Sequence, residues 1–570
     1  MSRRREFGRP LVSFAAGPPR RWVATRAAVA VALPLIGLTL AGHAEVSFLA
    51  GLGVFAVLYG AGAPVRRRFT TIPVAGAGLL ASLGLGVLTA GHPFVAILAM
   101  ALVGTVASLL TYTLQIGPPA GYFFALDLGI ANIAVTHGAD PATILGVAAV
   151  GVLSAIVVGT SDAWLGVHGI EAAAVTAAED SVDAYLQEDD PRALPRARRT
   201  ASGALNRAWT AVTDGRSEEH FDGRLQRVHS RYARAVSRSI GGADEEVTAE
   251  LALIEAARTR QISLGRPRAR WSLRQALRWP SEDLLVAARV ATAVVLAGGL
   301  ALALDNAHAY WAAAFATLIV NTGGTRTVQI QRSVQMTTGT AVGLLVFGLL
   351  LRFDLQHWAL VALIITLQFT VQLLVTRNYA VAQIFITPLA LTISSNVTSV
   401  EVTTIVIDRG VDTLIGVGSA ILVLYVSGRV GRPELLLRAH ARRVVLALQD
   451  VLDDLADRRT RTPEGMSAHL DHCRQLYVEL IASDEVAARA VHDAPRSVAP
   501  YREMEELLAE IGYLVLGATW NPHVRGQRDR MAAARAELAP LTDDHPVTRK
   551  RSARDITREL RRVEAALTAE

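Results

Sequence analysis

The chain has 570 residues, 51% of them hydrophobic, yet it carries 57 basic and 51 acidic side chains and a formal net charge of +6. It is too long for one ordinary domain, and so apolar a chain holds so many charges only if the two are segregated. A soluble reading would need a dozen buried core helices and is set aside; the single cysteine, Cys473, excludes an intramolecular disulfide framework and a cysteine-rich metal site.

The segregation is plain in chain order. Blocks 22–165 and 284–427 are nearly free of charge, while 166–283 and 428–570 are rich in Arg, Glu and Asp. Apolar windows of about 20 residues, enough to cross a hydrocarbon core of about 30 Å, recur in the first kind. Residues 1–21 form a basic tail ahead of the first apolar run, which is expected to be a retained span rather than a signal peptide. Spans are expected at 22–40 (1), 46–61 (2), 72–88 (3), 93–114 (4), 122–135 (5) and 142–164 (6). The charged block that follows reads as amphipathic soluble helices, broken at Asp190-Pro191, Asp214-Gly215 and Gly241-Gly242. Arg270–Trp279 is basic with aromatic ends and reads as an interfacial helix leading back to the membrane.

Six further spans are expected at 284–304 (7), 310–321 (8), 334–351 (9), 358–375 (10), 380–394 (11) and 406–426 (12). Between spans 8 and 9 lies a polar turn with Gly323, Gly324, Arg326 and Arg332 and no acid. Block 428–570 is again charged and helical, with breaks near Pro463, Pro495, Pro500 and Asn521-Pro522. The N-tail, the Arg66–Arg68 loop and both charged blocks fall on one side, and loops near His43, His92 and His137 without Lys or Arg fall on the other. The arginine-rich side is the cytoplasm by the positive-inside rule, so both termini are expected there, in the plasma membrane.

The second membrane block repeats the first. A shift of 265 places His43 on His308, Arg67 on Arg332 and His92 on His357, and a shift of 263 places Arg26 on Arg289. Six spans per half give both halves the same orientation. The expected fold is all-α: a polytopic membrane protein with two parallel six-helix transmembrane repeats, each followed by a cytoplasmic helical domain. The site is expected in the cleft between the repeats.

Spans 7–12 resemble the fusaric acid resistance protein-like family, which includes the aromatic acid exporters. The likeness rests on Tyr310-Trp311, the Gly-Thr-rich turn with Arg326 and Arg332, Gly339-Thr340-x-x-Gly343, and Arg409-x-x-Asp412-Thr413-x-x-Gly416. The layout of spans and soluble blocks extends it over nearly the whole chain. The first half has no Tyr-Trp pair, and Val74 stands where the second half has Gly339. The family usually has an arginine three residues before the Gly-Thr; here that residue is Met336. The resemblance implies proton-driven efflux of small, often aromatic, carboxylic acids. The plant aluminium-activated malate channels look related and conduct anions passively.

Candidate residues follow, each with two readings. Arg26 and Arg289 form a paired carboxylate site, or they snorkel to the interface as anchors. With Tyr310 and Trp311 they make the expected substrate-binding set. Asp127 lies mid-span as a proton-coupling carboxyl or as an acid paired with an arginine of another span. Arg409 and Asp412, with Asp408, form a gate or relay, or a structural pair in which Arg409 meets Asp412 at i,i+3. Arg67, Arg326 and Arg332 set topology or line a cytoplasmic vestibule. Gly339, Thr340, Gly343 and Gly416 read as packing. The histidines at 43, 92, 308 and 357 read as helix-end residues of the outer loops, and Asn396-Val397-Thr398 as a chance sequon.

No phosphate loop, HExxH, nucleophile elbow or CxxC pair occurs. No enzyme activity, cofactor or metal is expected. Acids and bases alternate in the polar blocks, so no nucleic acid is expected either. The expected partners are the bilayer, an organic anion, and a second copy of the chain or an accessory efflux protein. A membrane scaffold whose soluble blocks bind a partner is the reading outside transport.

Overall fold

The computed structural model describes residues 20–239 and 264–568, apart from 307, 322–324, 354, 398–401, 431–432, 458–461, 520–526 and 543–550. Among the described residues every element is helical. They form two compact units, one of Met1–Gly166 with Ala276–Val430 and the other of Val167–Gln275 with Gly431–Glu570. The two charged blocks, expected as separate domains, therefore share one unit.

The apolar unit opens with α1 (Arg21–Leu40), α2 (Ala44–Leu58), α3 (Val65–Leu88), α4 (Pro93–Thr113), α5 (Tyr122–Thr136) and α6 (Pro141–Gly159). The chain passes through α7 (Gly169–Leu186), α8 (Leu194–Gly215), α9 (Glu218–Ser239) and α10 (Ala269–Ala276). It returns with α11 (Glu282–Ala303), α12 (Tyr310–Val320), α13 (Arg326–Leu350), α14 (His357–Leu374), α15 (Tyr379–Val397) and α16 (Val402–Val430). The second unit is completed by α17 (Pro433–Ala456), α18 (Pro463–Asp493), α19 (Arg502–Thr519), α20 (Gln527–Thr542) and α21 (Ala553–Thr568). The expected breaks at Gly241-Gly242 and Asn521-Pro522 lie outside the described residues.

Among the described residues eight helices are long and apolar enough to cross a membrane: α1, α3, α4, α6, α11, α13, α14 and α16. In four of the expected spans, α2, α5, α12 and α15, the described apolar stretch is shorter, running in α15 only from Tyr379 to Ser394. An eleven-residue helix such as α12 rises only about 16 Å, well under the thickness of a hydrocarbon core. On α4, Phe94, Leu98, Leu102, Val106 and Leu110 recur every fourth residue and are all exposed. An apolar stripe of that length without a cover suits lipid and not water. Trp22, Trp164 and Trp279, all more than 70% exposed, suit the interface.

Glycine decides where the short helices sit. In α2 the α-helical stretch is only Ala50–Val54, flanked by 3-10 turns, and Gly53 rests directly on the Ala148 carbonyl of α6. Gly151 of α6 rests reciprocally on the Ala50 carbonyl, so neither position has room for a Cβ. Gly121, just before α5, abuts the Gly104 carbonyl in the middle of α4. The start of α15 likewise abuts Gly339 in the middle of α13, where a Cβ would meet the Ala380 carbonyl at 2.5 Å. Both short helices thus begin level with the middle of a long neighbour.

Packing within this unit comes in matching pairs. Helix α1 packs on α14, and α4 on α11; α2 packs on α6, and α12 on α16; α3 packs on α5, and α13 on α15; α2 meets α15, and α5 meets α12. Two boundaries differ from expectation: α3 begins at Val65, so Arg66–Arg68, expected as a loop, are helical, and α13 begins at Arg326, so the polar residues from there to span 9 are helical, while Gly323 and Gly324 lie outside the described residues. The Thr325 hydroxyl accepts from the Val328 amide to cap α13, and the Gln and Arg that follow favour helix.

The second unit has one core drawn from both charged blocks. Leu205, Trp209 and Val228 share it with Leu448, Tyr477 and Leu514.

Candidate functional site

The strongest feature of the apolar unit is the Arg409 side chain on α16. It is 1% exposed, and its Nε, Nη1 and Nη2 have no hydrogen-bond partner among the described residues. Its guanidinium lies 3.6 Å from the centre of the Trp311 ring and 4.3 Å from that of Phe315, both on α12. Trp311 and Phe315 are one turn apart, so a single helix face offers two rings to one cation. A desolvated cation–π contact is worth about 2 kcal/mol. That does not offset burial of a charge, which demands hydrogen-bonded partners.

The expected Arg409–Asp412 pair does not form. Asp412 Oδ1 instead accepts from Asn306 Nδ2 at 3.1 Å, and its Oδ2 has no partner among the described residues. The rings of Trp311 and Phe315 hold Arg409 toward α12, and Asn306 draws Asp412 toward the loop before it. Asn306 Oδ1 accepts from the His308 amide at 2.7 Å, and His308 Nδ1 lies 2.6 Å from Asp408 Oδ2. His308, expected as a loop residue, is therefore a buried member of a chain of polar groups that ends beside Arg409.

A second arginine repeats the stacking. Arg332 on α13 sits 3.3 Å from the ring centre of Tyr379, the first residue of α15. Tyr122, the first residue of α5, and Tyr379 both lie within electrostatic reach of Arg409. Trp311 Nε1 is also buried and has no hydrogen-bond partner among the described residues. The region thus gathers unfilled N–H donors against aromatic faces, an arrangement complementary to a planar carboxylate.

Trp311 also lines a small cavity where the four short helices meet, with Leu52 and Phe55 of α2, Leu126 and Ile130 of α5, and Ser394 of α15. Asp127 on α5 is fully buried, and neither carboxyl oxygen has a hydrogen-bond partner among the described residues. Tyr59, whose hydroxyl donates to the Ala120 carbonyl at 2.8 Å, lies within its electrostatic reach.

The other expected residues lie elsewhere. Arg26 meets Asp162 Oδ2 at 2.7 Å, and Arg68 Nη2 meets the same oxygen at 2.8 Å. Arg68 also donates to the Ala63 and Gly159 carbonyls. Arg26 is therefore an ion-paired member of an Arg-Asp-Arg cluster. Arg289 is half-buried two turns into α11, and Arg67 donates to the Leu114 carbonyl at 3.1 Å. The Arg326 side chain lies outside the described residues. Gly339 and Gly343 seat α15, with Thr340 accepting from Gln383 at 3.1 Å, and Gly416 seats the Ala312 carbonyl of α12.

Sequence reasoning missed Asp162, Arg68, Phe315, Asn306 and Tyr379. Phe315 carried a usable signal, four residues after Trp311. Asp162 carried only a weak one, as an acid just past an apolar run.

Residues 296–423 match the family model for fusaric acid resistance protein-like proteins. The chain is also 25% identical over 416 residues to the "Uncharacterized membrane protein YvaC" of Bacillus subtilis (strain 168), an alignment covering 64% of this chain and 65% of that protein. No solved structure matches the chain. The family match contains Trp311, Phe315, Arg332, Tyr379, Arg409 and Asp412, which are the residues the fold gathers around the buried guanidinium. With its apolar helices of spanning length, the chain is an integral membrane protein whose residues 296–423 are similar to the fusaric acid resistance protein-like family.

Proposed function

We propose that the protein is a plasma-membrane transporter that exports small organic anions, aromatic carboxylates among them, at the expense of the proton gradient, with both termini in the cytoplasm. The observation that carries the reading is Arg409: a buried guanidinium with unfilled donors, stacked on Trp311 and Phe315. A carboxylate would accept from it bidentately and lay an aromatic ring beside the same side chains. Asp127, enclosed and unpaired, supplies a proton-accepting group, as intramembrane carboxyls do in coupled carriers. The paired packing of the helices supports a reading as two parallel repeats. The anion site lies mainly in the second repeat, not between Arg26 and Arg289.

The test is uptake of a panel of aromatic and aliphatic carboxylates into everted vesicles, with Arg409→Gln alongside. Expected is uptake that stops when the pH gradient is collapsed and that Arg409→Gln abolishes. Anion flux indifferent to the pH gradient makes the protein a passive channel. Equal uptake by Arg409→Gln and the unaltered protein removes the arginine from the site.

A further inference from the structure

The cavity beside Trp311 has a neighbour. Gly51 and Phe55 of α2 and Ile393 of α15 belong to the walls of both. The second cavity is otherwise lined by Val31 and Leu35 of α1, Phe48 of α2, Leu389 of α15, and Ile364 and Gln368 of α14. Phe55 and Ile393 are only half-buried, so their side chains adjoin the open space on either side of them. A Cβ at Gly51 would meet Ile393 Cδ1 alone, at 3.8 Å. That is ordinary contact across open space, unlike Gly53, which rests on a carbonyl.

Gln368 is the one polar side chain among the described residues that line the second cavity. It is 3% exposed, and its Nε2 has no hydrogen-bond partner among the described residues. A buried amide donor without an acceptor is costly, and packing alone would be served better by an apolar side chain. The donor has a use when an acceptor arrives with a ligand.

We propose that the two cavities are lobes of one substrate site, in which Gln368 selects the end of the substrate remote from its carboxylate. This rests on the reading of Arg409 as the carboxylate's partner. The acid group stays with Arg409 and Trp311. The apolar body passes Gly51, while Phe55 and Ile393 turn aside to admit it, as side chains at binding sites commonly do. At the far end Gln368 Nε2 donates to an oxygen of the substrate. The lining of that lobe holds no cation among the described residues, so a neutral acceptor suits it and a second carboxylate does not. The substrate class is therefore an elongated aryl carboxylate with a neutral hydrogen-bond acceptor opposite its acid group. An analogue with a hydrocarbon group in that place leaves the amide unpaired and binds less well.

The experiment is isothermal titration of the purified full chain in detergent with benzoate, 4-acetylcinnamate and 4-isopropylcinnamate. The two cinnamates are alike in shape and differ in one carbonyl acceptor. The parent is expected to bind the acetyl compound about tenfold more tightly than the isopropyl one, and Gln368→Leu to remove or reverse that preference. Gly51→Val narrows the passage and should weaken both cinnamates more than it weakens benzoate. Benzoate tests the underlying site, since Arg409→Gln should abolish its binding. If benzoate does not bind, or binds Arg409→Gln as it binds the parent, the carboxylate site falls and this proposal with it. If benzoate binding depends on Arg409 but the parent does not separate the two cinnamates, the proposal about Gln368 alone is overturned. It is equally overturned if a folded Gln368→Leu keeps the parental preference, or if Gly51→Val binds the cinnamates as the parent does. Should Gln368→Leu not fold, the parent's own discrimination decides.

Discussion

Arg409 stacks on Trp311 at 3.6 Å rather than pairing with Asp412 one helical turn away on its own helix. Ninety-eight residues separate arginine and indole in sequence, so the contact belongs to the packing of α12 against α16. It leaves the guanidinium donors free for a ligand. If it holds the anion, Arg409→Lys should fail as Arg409→Gln does, because an ammonium offers neither the planar fork nor the same stacking. Trp311→Leu should weaken anion affinity about tenfold while leaving the charge in place. Concentration dependence of uptake in vesicles separates the two effects.

Tyr379 carries the second stacked arginine. Tyr379→Phe keeps the ring face for Arg332 and is expected to keep transport near the parental level. Tyr379→Leu removes the face and should cost about 1–2 kcal/mol of stability, read as a lower melting temperature in detergent together with reduced uptake.

Asp162 is shared by Arg26 and Arg68. Asp162→Asn would leave two partly buried cations without their common counter-charge, a loss of about 3 kcal/mol by analogy with broken buried pairs. Arg26→Gln should be milder, since Arg68 still holds the carboxylate. Thermal melts that rank the two variants the other way would remove Asp162 from the centre of the cluster.

Gly53 and Gly151 permit the close approach of α2 and α6. Gly53→Val places a side chain where the Ala148 carbonyl stands. Overpacking of this kind costs about 1–3 kcal/mol or more, and it should lower the yield of folded protein. Gly84→Val, at a position open to its surroundings, is the control and should be tolerated.

His229 should make the second unit less stable in mild acid. Burial holds His229, which accepts from Trp209 Nε1 at 3.2 Å, down to about 4. The unfolded chain binds that proton near pH 6.5 and the folded chain only near 4. The contribution is therefore whole above 6.5 and is lost as pH falls through that window. For this one group it amounts to about 3 kcal/mol at most. Burial, with Arg443 and Arg489 nearby, places His440 in the same range. Melting temperature followed from pH 7 to 4 should fall more steeply in the parent than in His229→Phe. Parallel curves would mean that His229 is not the group responsible.

By itself the sequence determined that this is an all-helical membrane protein, and it located the apolar helices to within a few residues in most cases. Those are properties of local windows: about 20 apolar residues satisfy the length and burial demands of a bilayer wherever their partners lie. It also marked Arg409 and Asp127, because a charge inside such a run is conspicuous, and Trp311 through the family resemblance. It did not show that Arg26 is paired with Asp162, that Trp311 stacks Arg409, or that the apolar stretches of α2, α5, α12 and α15 fall short of a full span. Nor did it show that two charged blocks close around one core. A helix apolar on every side carries no periodic signal for which face meets which neighbour. Which side chains meet depends on how closely the helices approach, and glycines such as Gly53, Gly339 and Gly416 set that approach only once the helices are packed.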